Sequence, residues 1–211
     1  MEYSEPLVYQ GQFGEFTITE GDRLGVKVYR SSLAVVAACL ALATGLLLWR
    51  GEAAAGTVTV LYAGFCVAFA VSLLTIHIYM KALHRVLQLF WLIGVASSLW
   101  FATAYAEPLA LVLYRYPATL WGVGFIFAAL VGLFFKEAVC FDRLETKFLT
   151  PLVPALILGH MMGLWPAPVE RYLLVAIAAL IVVFALRKVM QPIPPDIGDK
   201  SVFEHLAQRP G

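Results

Sequence analysis

Six stretches of this chain, near residues 31–49, 57–80, 86–106, 117–135, 149–165 and 172–187, contain no Asp or Glu at all. Each is long enough, or nearly so, to cross a hydrocarbon layer of roughly 30 Å at 1.5 Å per residue. Such a layer offers no partner for a free backbone N–H or C=O, so segments that cross it must be helical. The rest of the composition agrees. Only 14% of residues are charged, where soluble domains carry about 25%. Mean hydropathy is +0.82, and the apolar residues come in blocks rather than with a period. The sequence therefore predicts an all-α membrane protein: a six-transmembrane-helix bundle with both tails cytoplasmic. It divides into a cytoplasmic N-terminal tail with a short strand and interfacial helix (1–30), a membrane domain (31–187) and a Pro-rich cytoplasmic C-terminal tail (188–211).

The orientation rests on basic residues. Arg23, Lys27, Arg30, Lys81, Arg85, Lys136, Arg143, Lys147, Arg187, Lys188, Lys200 and Arg209 fall on one side of the six expected spans. The other side holds Arg50, Arg115 and Arg171. The excess marks the cytoplasmic face. Small residues recur at i, i+4 and i+8 in the first five spans, as in Gly94/Ser98/Ala102 and Ala155/Gly159/Gly163. Such spacing suits close helix packing in lipid. A net charge of +1 gives no bulk signal for nucleic acid. Cys39, Cys66 and Cys140 show no CxxC spacing, so neither a zinc site nor a disulfide framework is expected. Five acids in the first thirty residues argue against a cleaved signal peptide.

The tails carry local signals. Tyr9–Thr19 alternates apolar and polar residues between glycines, which suits a short hairpin or extended strand. Thr19 followed by Asp22 has the spacing of a helix cap, with the next residues lying at the headgroups before the first span. "QPIPPDIGD" is expected to be non-helical. Ser201 and Glu204 have capping-box spacing ahead of a short helix to about Gln208.

Chemistry has few places to sit. An ionisable residue at membrane depth is costly and so is a candidate site. No HExxH, GxSxG or glycine-rich phosphate loop occurs, and no enzymatic activity is expected. His77 and His160 lie within expected spans, and a neutral imidazole there suits haem iron or chlorophyll magnesium. Their depths, roughly 5 and 16 Å from the same face, do not let them share one ion. The plainer readings are a bond from His160 to a neighbouring helix and a His77 that reaches the headgroups. His77, Lys81 and His84, with Arg85 alongside, form a basic stripe facing anionic headgroups if the second span continues as helix. Between the fourth and fifth spans, Lys136, Arg143 and Lys147 balance Glu137, Asp142 and Glu145. This segment is expected to be an interfacial turn or short amphipathic helix with internal ion pairs, Arg143 and Glu145 among them. Thr150-Pro151 then reads as a cap and first-turn proline, and Pro154 removes another helical hydrogen bond. A short, proline-interrupted fifth span is a feature of some transporter sites, although no matching segment occurs in the other half.

"YQGQFGEFTITEGDR", "FDRLETKFLTPLVP" and "QPIPPDIGDKSVF" together resemble the domain of unknown function 2301 family, uncharacterised integral membrane proteins of cyanobacteria and related phototrophs. The likeness runs along nearly the whole chain and brings no catalytic residues with it. It implies a plasma or thylakoid membrane. The expected function is then a non-catalytic membrane protein that binds partner membrane proteins, as an auxiliary or assembly factor for photosynthetic complexes. Its expected surroundings are the lipid bilayer and subunits of such complexes. The alternatives are a small-solute or ion transporter or channel, using the start of the fifth span and His160, and a haem- or chlorophyll-binding protein, using His160 or His77. The leading reading needs no cofactor and no metal.

Overall fold

A computed structural model describes residues 8–208. Two short strands, β1 (Val8–Gln10) and β2 (Glu15–Thr17), pair antiparallel with Tyr9 opposite Phe16. Seven helices follow: α1 (Glu20–Arg50), α2 (Ala55–Thr75), α3 (Lys81–Ala104), α4 (Leu109–Arg115), α5 (Leu120–Phe141), α6 (Leu144–Met161) and α7 (Ala167–Met190). Two small helices, α8 (Pro194–Ile197) and α9 (Lys200–Gln208), close the chain.

Among the described residues, four helical stretches are long and apolar enough to cross a membrane: Glu20–Thr75, Lys81–Ala104, Pro117–Phe141 and Ala167–Met190. The first of them doubles back. A 3-10 turn at Gly51–Ala54 reverses the chain, and α1 and α2 pack antiparallel, with the Ser32 and Ser72 hydroxyls 2.7 Å apart. Each of the six expected segments falls on a helix of at least 18 residues. α6, which opens with Glu145 and Lys147, lies outside those four stretches.

The helices form a ring in which α3 packs on α5, α5 on α6, α6 on α7, α7 on α1 and α1 on α2. α5 supplies the most buried wall, through Val123, Ile126, Ala129, Leu130 and Leu133. Phe127 stacks on Phe65 of α2, and Phe134 meets Phe184 of α7 edge-on. In lipid the contacts that hold such helices are dispersion, close backbone approach and a few interhelical hydrogen bonds. Gly94 shows the second: a Cβ there would lie 2.6 Å from the backbone N of Ile126. The third are Tyr62–Ser98, at 2.7 Å, and the Trp91 indole N–H to the Cys66 carbonyl, at 3.0 Å.

Several local expectations are corrected. The charged segment after the fourth span carries the expected internal ion pairs, Lys136–Glu137 at 3.0 Å, Arg143–Glu145 at 3.4 Å and Lys147–Asp142, but it is not a separate amphipathic helix. α5 continues through Lys136 and Glu137 to Phe141, and only Asp142, at φ 50, and Arg143 break the chain before α6. The helix can continue because its charges are neutralised by partners across the bundle. Pro151 is not a first-turn residue, since both prolines lie inside α6. The Thr146 and Thr150 hydroxyls donate to the carbonyls of Arg143 and Thr146 in the turns before the prolines. α2 ends at Thr75, so the basic stripe through His77, Lys81 and His84 does not form; Lys81 opens α3 instead. α1 is continuous from Glu20 to Arg50, and Val26, Tyr29 and Arg30 in its first third are buried. "QPIPPDIGD" contains the single turn α8, with prolines at its start, where no N–H is needed. The cap before α9 is Asp199, whose carboxylate accepts from the Ser201 amide at 2.9 Å. The Thr19 cap forms as expected, with Asp22 returning the bond to the Thr19 amide at 2.8 Å.

Candidate functional site

At the tail end of the bundle, helices α1, α5, α6 and α7 meet around buried charges. Lys188 and Glu137 have side chains with 0% exposure and lie 2.7 Å apart. Lys188 also pairs with Asp196 of α8. Arg30 of α1 grips Asp196 at 2.8 Å through Nε and donates to the carbonyls of Gln191 and Pro192. The Tyr29 hydroxyl donates to Glu137 at 3.1 Å, and Lys136 bonds the same carboxylate at 3.0 Å. Lys188 also lies 4.0 Å from the centre of the Phe141 ring. Beside this cluster, Glu145 takes Arg187 at 2.6 Å and Arg143 at 3.4 Å, and Arg143 reaches Gln191. A buried charge persists only when it is paired and hydrogen-bonded. Here each carboxylate has at least two partners, so the cluster is a fastener with no oxygen left free for a ligand. It carries the chain from α7 back across α1 and so places α8 and α9.

The tails complete that end. The Asp199 carboxylate accepts from the Gln12 amide at 2.6 Å, and Ser201 Oγ accepts from the Phe13 amide at 3.1 Å. Lys200 bonds Asp22 at 2.8 Å, and Phe203 stacks on Tyr79 at 4.6 Å. The Ser201 hydroxyl and then the Gln12 amide hold the Asp199 carboxyl below its usual range. His77 lies in the 76–80 connection, edge-on to Phe203, and burial lowers its pKa, which favours the neutral ring.

The far half of the bundle holds a cavity of about 310 Å³. Its walls are mainly apolar side chains of α1, α2, α5, α6 and α7, Leu61, Phe65, Phe127, Ile157 and Ile177 among them. α4 roofs it through Leu109 and Leu113. That short helix is tied down at both ends: the Ala110 amide donates to Thr59 Oγ1 at 3.1 Å, and Arg115 pairs with Glu107, at 2.7 Å, and with Glu52. Besides Cys39, Thr44 and Tyr62, the lining includes one group of bonded polar residues. His160 Nδ1 lies 2.7 Å from Glu170 Oε1, His160 Nε2 lies 3.1 Å from the Tyr114 carbonyl, and its ring stacks on Tyr114. The turn that brings Glu170 back to His160 is encoded locally. Gly163, at φ 65, lets its own amide bond the His160 carbonyl and the Leu164 amide bond the Gly159 carbonyl, the two bonds of a Schellman C-cap.

The sequence-expected site residues therefore separate. Arg143 and Glu145 meet. His84 bonds the Leu73 carbonyl at 2.6 Å and so caps the end of α2, while Lys81 and Arg85 are exposed. Pro151 and Pro154 lie within α6, with Pro151 exposed and Pro154 half-buried. His160 bonds neighbouring elements with both ring nitrogens, which leaves neither for iron or magnesium in this arrangement. α6 is continuous through both prolines. Glu137, Lys188, Asp196 and Arg30 were not singled out from sequence, nor were α4 and Glu170.

Residues 71–205 match the family described as uncharacterized integral membrane protein (DUF2301), and that region is well over half of the chain. The chain belongs to this family. The match takes in "FDRLETKFLTPLVP" and "QPIPPDIGDKSVF", most of the charge cluster and most of the cavity wall, while α1 and the hairpin precede it. As a family member the chain is an integral membrane protein, in keeping with its long apolar helices. No curated protein and no solved structure matches it.

Proposed function

We propose that this protein crosses the bilayer six times with both tails cytoplasmic, and that it holds an apolar guest in the far half of its bundle without catalysing a reaction. The observation that carries this reading is the cavity of about 310 Å³ with its almost wholly apolar wall. Ligand sites are concave, mostly apolar and fitted with a few polar groups. A dry apolar cavity of about 150 Å³ takes up benzene, so this one has room for a guest on the order of a dozen carbon atoms by the same scale. The polar groups at its rim are already bonded to one another, which suits binding better than turnover.

Solvent extraction of the purified protein tests the proposal, with protein-free detergent as control. A stoichiometric apolar compound is expected, together with its loss from Ala43→Leu and Ala178→Leu, which reduce the cavity from two walls. Extracts indistinguishable from the detergent control would refute the reading.

One observation favours a second role. Hairpin, α8 and α9 are fastened into one body, and that body exposes Val8, Phe13 and Leu206. In this reading the tails dock a partner membrane protein, and the chain is an auxiliary or assembly factor for photosynthetic complexes in a cyanobacterial plasma or thylakoid membrane. Tagged protein drawn from its native membrane in mild detergent would bring down a stoichiometric membrane subunit. A partner-free protein would remove this role and leave the first.

A further inference from the structure

We infer that the guest of this cavity is a single straight hydrocarbon chain of about twelve carbons, lying along the bundle axis with its methyl end at a closed floor in the middle of the bundle. The inference rests on the cavity reading and adds the guest's shape, length and direction.

Five helices wall the cavity, and each lines it along its own length. α2, α5 and α7 run from the far end toward the tails, and α1 and α6 run back. Near the far end the lining includes Leu47, Val58, Leu120, His160 and Glu170, one from each wall helix. On the tail side it ends at Cys39, Phe65, Leu130, Val153 and Ile181, again one from each. One turn nearer the tails stand Val36, Phe69, Phe134, Leu149 and Phe184, none more than 2% exposed. These five belong to one apolar core, and Phe134 meets Phe184 edge-on. The cavity is therefore elongated along the bundle and blind on the tail side. The bonded pair of His160 and Glu170 stands at the opposite end.

These dimensions select the guest. From Glu170 to Ile181 along α7 is roughly 16 Å at 1.5 Å per residue. Spread over that length, the volume of about 310 Å³ gives a mean section of roughly 20 Å². Carbon atoms in contact sit about 4 Å apart, so one methylene chain fills a section on the order of 20 Å², and two side by side need twice that. A straight chain advances roughly 1.3 Å per carbon, from C–C bonds of about 1.5 Å at tetrahedral angles, so about twelve carbons span the length. About twelve carbons also fill the volume, by the scale of benzene in its cavity of about 150 Å³. Length and volume agree only for carbons in single file. A ring or a folded chain with as many carbons would be twice as wide and half as long. It would press on the walls, which a packed interior resists, and leave the floor empty. Such a chain comes either from a free long-chain compound or from one tail of a bilayer lipid whose headgroup stays at the far face.

Equilibrium binding of radiolabelled n-dodecane and cyclododecane to the full chain tests this, in nanodiscs of diphytanoyl phosphatidylcholine with empty nanodiscs as control. The probes have equal numbers of carbons and differ in width, and the methyl-branched lipid tails do not compete as straight chains. Dodecane should bind saturably and on the order of tenfold more tightly, since forcing width on a fitted site costs about a decade in affinity. Cys39→Leu takes about two carbons of space from the floor side, so the preferred alkane should shorten from dodecane to decane. Nanodiscs of straight-chain dimyristoyl phosphatidylcholine separate the sources. Weaker dodecane binding there identifies a lipid tail as the occupant, and unchanged binding identifies a free chain. Equal binding of dodecane and cyclododecane, or tighter binding of the ring, would overturn the chain assignment and leave the cavity reading intact. Binding of neither would overturn both. An optimum that stays at dodecane in Cys39→Leu would overturn the placement of the methyl end at the floor. Should that variant fail to fold, Val153→Ile shortens the same end by one carbon, and undecane takes the place of decane.

Discussion

Lys188 shows how far a single residue can depart from its apparent place in the sequence. It stands next to Arg187 at the end of an apolar stretch, where positive-inside placement alone would account for both. Yet Arg187 is exposed, while Lys188 turns inward to two carboxylates and an aromatic face. Replacing one member of a buried charge set costs about 3–5 kcal/mol, because the remaining charges keep their desolvation without their partner. Lys188→Met is therefore expected to destabilise the bundle by about that much, and Arg187→Met by less, because Arg187 is open to water and the buried Glu145 it pairs with keeps Arg143. Thermal unfolding of both variants in the same detergent measures the contrast, and similar losses would show that Lys188 is not the keystone of the cluster.

At the scale of elements, the hairpin and α9 meet through Asp199. A carboxyl whose pKa is lowered by folding stabilises the folded form above its unfolded pKa, and that contribution is lost as pH falls through the folded one. The folded value of Asp199 lies below the usual carboxylate range, so the dock should be unchanged at neutral pH and loosen only in acid. Asp199→Asn should loosen it already at pH 7, because an amide NH₂ would then face either the Gln12 or the Ser201 amide. Hydrogen exchange at Gln12 and Phe13 reports both effects. Protection that is equal in the variant and unaltered protein would place the dock elsewhere. This scale also shows what sequence conveys. The Thr19 cap was legible because its partner is three residues away. The hairpin was legible from alternation. Glu137 was not, because its pair Lys188 lies 51 residues on and a charge in an apparent connection gives no sign of its distant partner. α4 was hidden by its length, since seven residues are too few for periodicity to show. His160 stood out as a lone imidazole in an apolar stretch, but Glu170 did not. Its approach depends on the turn at Gly163, a signal that glycine placement could have supplied.

At the scale of the whole molecule, the two polar centres lie at opposite ends and differ in kind. The tail end is saturated with pairs that hold four helices and α8, whereas the far end leaves an apolar cavity. The basic residues follow the same axis, and this ties topology to function. If the charge count sets the orientation, the fastened tails face the cytoplasm and the roofed cavity faces the other compartment, within reach of that leaflet. Single cysteines at Asp142 and Leu206 would then label from the cytoplasmic side, and cysteines at Glu52 and Glu107 from the opposite side, in a background with Cys39, Cys66 and Cys140 replaced. A membrane-impermeant maleimide applied to right-side-out and to inverted vesicles distinguishes the faces. Six crossings require that positions 52 and 107 label together and that 142 and 206 label together in the other vesicle type. Labelling of 142 with 52 would mean that α5 does not cross, and the cavity wall it provides could not lie at membrane depth. Agreement of all four positions would place the mouth of the cavity on the non-cytoplasmic side, so that the guest is taken up from that leaflet rather than from the compartment that the tails face.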